Sequence, residues 1–438
     1  PGDIVDVIDR LYGRGSQSLE TIIEEADKDV YEIDVSERQG QDIESLKDMA
    51  SEAPIIRLVN RLIYNAVDIH ASDIHFEPFD NRFLIRYRID GVLHEIESPP
   101  VRLQAAILSR VKIMAKLDIA ERRLPQDGGI KLKISKREID FRVSTVPTLY
   151  GESLVMRILD RESLALDLRQ LGFPDDIYAQ YMELIQQPYG MILVTGPTGS
   201  GKTSTLYTTL AMINSSEKKV ITLEDPVEYQ LSGVNQIQVK PKIGLTFLNG
   251  LRSIVRQDPD IILVGEIRDR ETAEISIQSA LTGHLLFSTL HTNDSAGAIS
   301  RLMDMGIENF LLSSTLLGVM AQRLVRVICP DCRQPVTPEK RLTDLMKLPD
   351  HELSQIMFYE GSGCETCHHT GFKGRTAIFE YLPMNEAIRR EVLNNSRAED
   401  IKKRAKESGL RTLREDGWEK VKAGITTISE VLRVTLEI

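Results

Sequence analysis

The sequence predicts an α/β protein whose main domain is a largely parallel sheet covered by helices, with a smaller α+β domain before it. Short apolar runs at 191–195, 220–223, 261–264 and 285–289 alternate with helical stretches. Parallel strands buried on both faces have this character, and the βα alternation is typical of such sheets. Upstream, amphipathic and strand-like segments follow one another without that alternation, which indicates a separate α+β domain.

Composition limits the functions open to the chain. Its 438 residues suit two or three compact domains, and 42% hydrophobic with 27% charged residues is the balance of a soluble globular protein. The formal net charge is −11, and aromatic residues make up 5%. Nucleic-acid binders usually present basic faces or stacking rings, so this composition disfavours a nucleic-acid partner.

We expect a cytoplasmic address. The sequence has no signal peptide, and its apolar segment from Asn309 to Gln322 is shorter than the ~20 residues of a membrane-spanning helix. Because the sequence begins at Pro1 rather than at a methionine, we also expect a region upstream of it.

Patterning predicts the elements of the first domain in order. Pro54 suits the first turn of a helix, and apolar residues then recur at spacings of three and four as far as Val67. Two alternating segments follow and meet at the Asp90-Gly91 hairpin turn. A further helix and three strands are predicted at about 103–120, 130–134, 139–144 and 153–159.

These patterns divide the chain into six segments. They are an N-terminal remnant or linker at 1–50, an α+β domain at 51–162, a linker at 163–175, the main α/β domain at 176–328, a four-cysteine insertion at 329–370 and a helical C-terminal region at 371–438.

A phosphate-binding pattern follows the first strand of the main domain. The glycines of G-x-x-x-x-G-K-[ST] let backbone amides surround phosphate oxygens, and the next helix offers its N-terminal amides to the same anion. The lysine places a cation against the β and γ phosphates, and the last hydroxyl can hold Mg²⁺. The flanking strand and helix argue against a glycine-rich turn that binds nothing. The residues are Gly196, Pro197, Thr198, Gly199, Ser200, Gly201, Lys202 and Thr203.

Carboxylates end two of the apolar strands. Glu266 follows the strand at 261–264, and Glu224 and Asp225 end the strand at 220–223. Ligands of open α/β sheets bind at the carboxyl ends of the strands, so these acids can converge on the γ-phosphate, its Mg²⁺ and the attacking water. The alternative is that they cap helices or pair with arginines.

Five arginines could neutralise charge on a transferred phosphoryl group. Arg252 and Arg256 lie four residues apart on one helix face, and Arg268 closely follows the second strand-ending glutamate. Arg142 and Arg157 lie on apparent strands of the first domain, from which an arginine could act across domains or subunits. Surface ion pairing is the alternative for each of them.

All four cysteines stand in two C-x-x-C pairs, Cys329 with Cys332 and Cys364 with Cys367. Two thiolate pairs can complete a tetrahedral zinc shell, although the separation between the pairs is longer than in a common zinc ribbon. A cytoplasmic chain without an odd cysteine favours metal over disulfides. Redox pairs or free thiols remain as alternatives.

Four segments together resemble the secretion ATPase superfamily, which includes type II secretion motors, type IV pilus motors and type IV secretion motors. Two of them are 72–78 (SDIHFEP) and the phosphate-binding loop, and the others are 221–229 and 283–293. In that family the last two are an aspartate box and a histidine box, and the strand at 261–266 is an atypical Walker B strand ending in glutamate. The likeness runs from about Ala53 to the C-terminus.

The resemblance implies a fold and a set of site residues. The fold is a RecA-like phosphate-loop motor domain after a PAS-like domain, and the assembly is a homo-hexamer with nucleotide between two domains. Glu266 is then the favoured catalytic carboxylate with Glu224 in support. His291 would sense the γ-phosphate, and His284 is a further candidate. The five arginines match the positions from which the two domains reach phosphate.

The resemblance also implies a cellular role. The cysteine insertion is similar to that of type II secretion and pilus assembly motors, and retraction motors generally lack it. Segments 52–60 and 371–380 look closer to the type II branch. We therefore predict an ATPase that drives pseudopilus assembly and protein export, with ATP, Mg²⁺ and Zn²⁺ as cofactors. A bitopic anchor protein and a polytopic platform protein would hold it at the inner membrane.

Three alternatives remain open at this stage. They are a type IV pilus assembly motor, a nucleotide-gated scaffold that barely turns over ATP, and a nucleic-acid motor.

Overall fold

The chain forms two compact units, residues 1–163 and 164–438. The structure is a computed structural model, and it describes residues 19, 21–27, 43–134, 137–160, 167–346 and 356–436. The predicted linker at 163–175 therefore begins outside the described residues. From residue 167 onward it belongs to the second unit, where Leu168 is buried in the core.

The first unit packs helices against one face of a six-stranded antiparallel sheet, in the strand order β3-β2-β1-β6-β5-β4. Residues 21–27 are also helical. The labelled elements are α1 (Ile43–Ser51), α2 (Ala53–Asp68), β1 (Asp73–Pro78), β2 (Phe83–Ile89), β3 (Val92–Glu97), α3 (Gln104–Met114), β4 (Gln126–Ile134), β5 (Arg137–Thr148) and β6 (Gly151–Asp160).

The core of this unit lies between the helices and the inner face of the sheet. Leu58 of α2 is buried there with Phe76 and Phe141 of the sheet. The α+β pattern predicted for this region is therefore observed. The predicted linker is wrong for residues 43–51, because they form α1 and bury Leu46. The PAS-like description of the unit stays a prediction.

The second unit is built on a seven-stranded sheet with the order β15-β12-β7-β11-β10-β8-β9, of which only the β12–β15 pair is antiparallel. Its elements are α4 (Asp175–Leu184), β7 (Gly190–Thr195), α5 (Lys202–Ile213), β8 (Val220–Glu224), β9 (Asn235–Gln238), α6 (Phe247–Ile254), β10 (Ile261–Val264), α7 (Arg270–Leu281), β11 (Leu285–Leu290), α8 (Ser295–Asp304), α9 (Asn309–Thr315), β12 (Leu316–Ile328), β13 (Arg333–Val336), α10 (Lys340–Met346), β14 (Phe358–Gly361), β15 (Phe372–Pro383), α11 (Glu386–Leu393), α12 (Ala398–Glu407), α13 (Leu413–Lys422) and α14 (Ile428–Thr435).

Helices cover both faces of this sheet, which explains its wholly apolar strands. Along β7, Leu193 packs into the core on one face while Ile192 and Val194 pack into the core on the other. Successive residues of a strand point to opposite faces, so a strand covered on both sides needs an apolar residue at every position. The predicted parallel sheet is confirmed.

The C-terminal region differs from its prediction. Residues 372–383 form the edge strand β15, so the helical description is wrong there and holds only from Glu386 onward. The sequence pattern did not predict this strand, because its pairing partner β12 lies on the other side of the cysteine insertion. In the described part of the chain, no helix combines the length and the apolar character needed to cross a membrane.

Candidate active site

The phosphate loop at 196–203 connects the buried strand β7 to the helix α5. Gly196, Gly199 and Gly201 have φ of 151°, 78° and 89°, a region that favours glycine. A Cβ on Gly196 would lie 2.5 Å from the carbonyl oxygen of Gln322, and one on Gly201 would lie 2.7 Å from the Gln322 side-chain amide nitrogen. Gly196 therefore needs glycine for space as well as for conformation, whereas Gly201, which faces the end of a flexible side chain, needs it mainly for conformation.

The side chain of Lys202 lies inside this loop. Its Nζ donates hydrogen bonds to the carbonyl oxygens of Gly196 at 2.7 Å and Pro197 at 3.0 Å. Burial lowers the pKa of Lys202 to about 8; the charge of Glu266 opposes that fall and the charge of Arg323 adds to it. Because burial destabilises the charged form of Lys202, a phosphate anion beside the ammonium group would stabilise that charge strongly.

Glu266 is the centre of a charged cluster just beyond β10. One carboxylate oxygen accepts from Arg268, and the other lies 3.3 Å from Nε2 of His291. Burial alone would raise the pKa of Glu266, but the hydrogen bond and charge of Arg268, with those of His291, lower it overall. The group is therefore a carboxylate at neutral pH, able to accept a proton from water or to face a cation.

The strand order brings these groups to one edge of the sheet. β7 pairs with β11, β11 with β10, and β10 with β8, all in parallel, so their carboxyl ends lie side by side. The phosphate loop follows β7, His291 follows β11 and Glu266 follows β10. This is the edge at which parallel α/β sheets bind ligands.

Glu224 lies at the same edge but within a buried network. Its carboxylate accepts from the hydroxyl of Tyr207, from Oγ1 of Thr222 at 2.5 Å and from the side-chain amide of Gln236 at 3.2 Å. These hydrogen bonds hold the side chain of Glu224 in place and occupy its carboxylate oxygens. Asp225, the next residue, is exposed. A supporting catalytic role for Glu224 stays a prediction.

The two histidines of the predicted histidine box lie at opposite ends of β11. His284 precedes the strand, and its Nδ1 is 2.8 Å from the carbonyl oxygen of Ser279. His291 follows the strand and is half-exposed at the carboxyl edge. A strand of six residues spans ~20 Å, so His284 belongs to the far edge of the sheet.

The remaining predicted arginines lie in two places. In the second unit Arg252 and Arg256 are exposed, and Arg256 donates to the carbonyl oxygen of Arg252 at 2.6 Å. In the first unit Arg142 and Arg157 are direct cross-strand partners, which puts them on one face of the sheet. Arg157 also donates through Nε to Asp73 at 3.0 Å. Contact of any of these arginines with phosphate stays a prediction.

Two polar residues beside the loop escaped the sequence analysis. Gln322 accepts at Oε1 from Oγ1 of Thr205 at 2.8 Å, and Arg323 donates through Nη2 to the carbonyl oxygen of Asn293 at 2.8 Å. Arg323 is only 4% exposed. The sequence does carry a signal for them, because two adjacent long polar side chains stand in the middle of the mainly apolar strand β12.

The four cysteines meet at one point of the insertion, with all sulfur atoms within 4.8 Å of one another. The Sγ–Sγ distances are 3.9 Å for Cys329–Cys364, 3.8 Å for Cys332–Cys367 and 3.7 Å for Cys364–Cys367. A zinc tetrahedron with Zn–S bonds of ~2.3 Å has edges of ~3.8 Å, so the four sulfurs fit that ion. They are too far apart for disulfides.

Backbone amides favour a thiolate at this point. The N–H groups of Cys364 and Gly371 lie 3.2 and 3.3 Å from the sulfur of Cys367. Burial alone would raise the pKa of Cys367, but these hydrogen bonds lower it to about 6, whereas burial raises the pKa of Cys332 to about 11 and raises that of Cys329. A thiolate is the form that binds metal.

A phosphate loop, a strand-ending glutamate and a histidine at the carboxyl edge of a parallel sheet define a phosphate-loop ATPase. The family described as Type II/IV secretion system protein matches residues 48–433. The chain belongs to this family of secretion ATPases.

Known relatives agree with this assignment over nearly the whole chain. Type II secretion system protein E of Xanthomonas campestris pv. campestris is 55% identical, covering 99% of this chain and 75% of that protein. The type IV pilus assembly ATPase PilB of Myxococcus xanthus is 47% identical, covering 98% and 76%. The crystal structure of the pilus retraction motor PilT with bound ADP superposes with a TM-score of 0.58 at 26% identity, over 85% of this chain and 95% of that one.

Proposed function

We propose that the chain is the ATPase of a type II secretion system, which hydrolyses ATP to drive pseudopilus assembly and protein export. The convergence of the phosphate loop with Glu266 and His291 at one sheet edge carries the proposal. The type II branch is better supported than the pilus branch, because identity is 55% to a type II protein and 47% to a pilus assembly ATPase.

The residues of this edge divide the work of phosphoryl transfer. The loop amides and Lys202 bind the phosphates, and Thr203, in the first turn of α5, has an exposed side chain that would hold Mg²⁺. When bound, the ion would neutralise part of the phosphate charge. Glu266 orients the attacking water and takes its proton, and His291 reports on the γ-phosphate through its contact with Glu266.

Assembly completes the site in this proposal. The chain forms a homo-hexamer in which the exposed arginines Arg252 and Arg256, together with Arg142 and Arg157, neutralise phosphate charge from a neighbouring domain or subunit. The hexamer works in the cytoplasm at the inner membrane, held by a bitopic anchor protein and a polytopic platform protein. It has no nucleic-acid partner, and stimulation of turnover by DNA would contradict that part.

The test is ATP turnover per chain across a range of protein concentrations, for the wild type and Glu266→Gln. We expect a per-chain rate that rises with concentration, and a fall in kcat of roughly 10²–10⁴-fold in Glu266→Gln, the usual contribution of a general base. Glu274→Gln is the matched control, since Glu274 is also a glutamate paired with an arginine but lies on the surface of α7. Unchanged turnover in Glu266→Gln would overturn the catalytic assignment and leave the scaffold alternative.

We also propose that Cys329, Cys332, Cys364 and Cys367 bind one zinc ion. The tetrahedral sulfur spacing and the lowered pKa of Cys367 support it. Metal analysis of the purified protein should give about one zinc per chain. A well-folded protein without bound metal would contradict the proposal.

The 47% identity to a pilus assembly ATPase favours a second candidate, a motor for type IV pilus assembly. Complementation separates the two. The gene is placed in one strain that lacks its type II secretion ATPase and in another that lacks its pilus assembly ATPase. Restored protein export supports the first proposal, and restored pili with no export supports the second.

A further inference from the structure

The histidine loop, defined here as residues 291–294 between β11 and α8, is tied to the residue before the phosphate loop. The hydroxyl of Thr195, which is completely buried, accepts from the backbone N–H of Thr292 at 3.0 Å. The two threonine hydroxyls also share a hydrogen bond of 2.7 Å. Because Thr195 is the last residue of β7, this contact fixes one point of the histidine loop to a rigid strand.

A second contact holds the next residue of the histidine loop from the other side. Arg323 on β12 donates through Nη2 to the carbonyl oxygen of Asn293 at 2.8 Å and through Nη1 to the carbonyl oxygen of Gln322 at 3.0 Å. A Cβ on Gly196 would lie 3.1 Å from Nη1 of Arg323, so the guanidinium lies directly behind the phosphate loop.

We infer that Thr195 and Arg323 are positioning residues that form a two-point clamp on the histidine loop and thereby aim His291 at Glu266. Consecutive residues, 292 and 293, are held by buried groups, and His291 is the residue immediately before them. Its ring is half-exposed and receives little packing, so its direction toward Glu266 must come mainly from the backbone.

The clamp rests on the proposed function, since the direction of His291 matters only if Glu266 and His291 act on ATP. Both anchors touch or adjoin Gly196, the first residue of the phosphate loop. The phosphate loop has a support of its own, since Nζ of Lys202 donates to the carbonyl oxygens of Gly196 and Pro197. Loss of the clamp should misplace a group needed in the transition state while leaving this support in place. Such a change lowers kcat and leaves KM nearly unchanged.

The first test compares Thr195→Val with Thr195→Ser. Valine has the shape of threonine without the hydroxyl, whereas serine keeps the hydroxyl. We expect kcat to fall roughly tenfold in the valine variant with KM within about twofold, and the serine variant to stay within about twofold of wild type. Thr209→Val is the matched control, because the buried hydroxyl of Thr209 contacts Tyr181 and the carbonyl oxygen of Thr205 instead. Wild-type turnover in Thr195→Val would overturn the clamp.

The second test is a double-mutant cycle with His291→Ala. If the clamp acts through His291, Thr195→Val should lower kcat by less than about twofold in the His291→Ala background. The clamp would be overturned if the two substitutions lower kcat independently, so that their fold-changes multiply in the double variant. It would also be overturned if His291→Ala has normal turnover while Thr195→Val is slow. Glu266→Gln separates these outcomes from failure of the proposed function, because turnover that survives in that variant rejects the active site itself.

Arg323→Lys tests the second contact of the clamp independently. A single ammonium group cannot reproduce the fork that holds two carbonyl oxygens, so we expect kcat again to fall roughly tenfold with KM nearly unchanged. Arg326→Gln is its control, since Arg326 lies on the same strand but pairs with Glu430. A lysine variant as fast as wild type removes Arg323 from the clamp. If Arg323→Lys does not fold, the Thr195→Val and Thr195→Ser pair still decides the question.

Discussion

The phosphate-binding edge and the cysteine module, residues 329–371, are held in place in opposite ways. Behind the edge lie β7, β8, β10 and β11, whose residues are all buried. In its described residues, 329–346 and 356–371, the module has the short ribbon β13–β14, the helix α10 and one helical turn at 365–367, and β13 is mostly exposed. The phosphate edge thus rests on a large apolar core, whereas the module adds Met346 and Phe358 to a smaller core and brings its four sulfurs to one point.

Substitutions in the two regions should therefore affect different properties, namely nucleotide binding and turnover at the phosphate-binding edge and folding stability in the cysteine module. Groups at the phosphate edge can be changed without unfolding, because the parallel strands beneath them do not depend on those groups. Loss of a metal ligand in the module should instead destabilise it, because a structural metal site contributes folding free energy directly. Four experiments test this difference between the two regions, and they are given in order of decreasing expected effect.

Removal of zinc should have the largest effect. A structural zinc site can supply roughly 10 kcal/mol of folding free energy, so a chelator should unfold the cysteine module while the seven-stranded sheet survives. Hydrogen exchange should show fast amides in β13, β14 and the cysteine turns, with β7 and β11 still protected. Added zinc should restore protection. Uniform exchange across the second unit would mean that module and sheet form one cooperative unit.

Lys202→Ala should have the next largest effect, confined to the phosphate edge. Removing one partner of a desolvated charge pair costs about 3 kcal/mol, which is roughly a hundredfold in nucleotide affinity. The melting temperature should not fall, because the variant also removes a buried, poorly solvated charge. Fluorescent-nucleotide binding measures the affinity, with the exposed Lys218→Ala as control. Equal affinities for both variants would place nucleotide elsewhere.

Glu430→Gln tests the packing of α14 on β12, the strand that connects the two regions. Burial alone would raise the pKa of Glu430, but hydrogen bonds from Arg433 and Arg326 lower it from 4.5 to about 2. A lowered carboxyl pKa stabilises the fold above pH 4.5, and that stability disappears as the pH falls toward 2. We expect the variant to lose roughly 2 kcal/mol of unfolding free energy at pH 7.

The matched control for this change is Glu419→Gln, whose glutamate is exposed and pairs with Lys422. Denaturant unfolding should separate Glu430→Gln from wild type most at pH 7, by less than half as much at pH 3, and hardly at all at pH 2. An equal difference at all three pH values would mean that the contribution of Glu430 is packing rather than charge.

The smallest expected effect is a difference between the two regions in how ligand affinity depends on pH. The pKa of Lys202 is lowered from 10.5 to about 8, so above pH 8 the lysine loses its proton in the nucleotide-free fold and must regain it to bind phosphate. Nucleotide affinity should therefore fall above pH 8, by at most about tenfold per pH unit, with uptake of part of a proton. Metal affinity of the thiols should rise over the same range, because protons compete with zinc.

Calorimetry in buffers of different ionisation enthalpy measures the proton taken up with each nucleotide. The expected sign for stability follows from the same pKa. Between pH 8 and 10.5 the unfolded chain holds more protons on this lysine than the fold does, so its contribution to unfolding free energy rises with pH. Release of protons on nucleotide binding would contradict the prediction.

Sequence reasoning succeeded where the physical cause is local. The strand at 191–195 is recognisable because burial on both faces demands an apolar residue at every position. The phosphate loop is recognisable because its glycines, lysine and hydroxyl act within one turn of chain. The two C-x-x-C pairs were predicted to share one site, and their sulfurs lie within 4.8 Å of one another.

It failed where partners are distant in the chain. Residues 372–383 lack a helical pattern, but only pairing with β12 shows that they are a strand. The network around Glu224 depends on Tyr207 and Gln236, which no local pattern links. Arg323 and Thr195 acquire their contacts only when the histidine loop folds beside β7 and β12.

The pairing of β12 with β15 also has a consequence for protein engineering. The two strands pair as far as Ile328 and Phe372, with a bulge that shifts the register after Arg326, and the backbone N–H of Cys329 donates to the carbonyl oxygen of Gly371 at 3.0 Å. Everything between these residues is, for the sheet, one very long hairpin turn. A two-residue connection such as Asn-Gly has the twist that joins antiparallel strands. Such a connection would keep the ladder, but removing the module would uncover Trp418, whose ring packs on Phe358 of the module. A replacement module would therefore need an apolar residue in the place of Phe358.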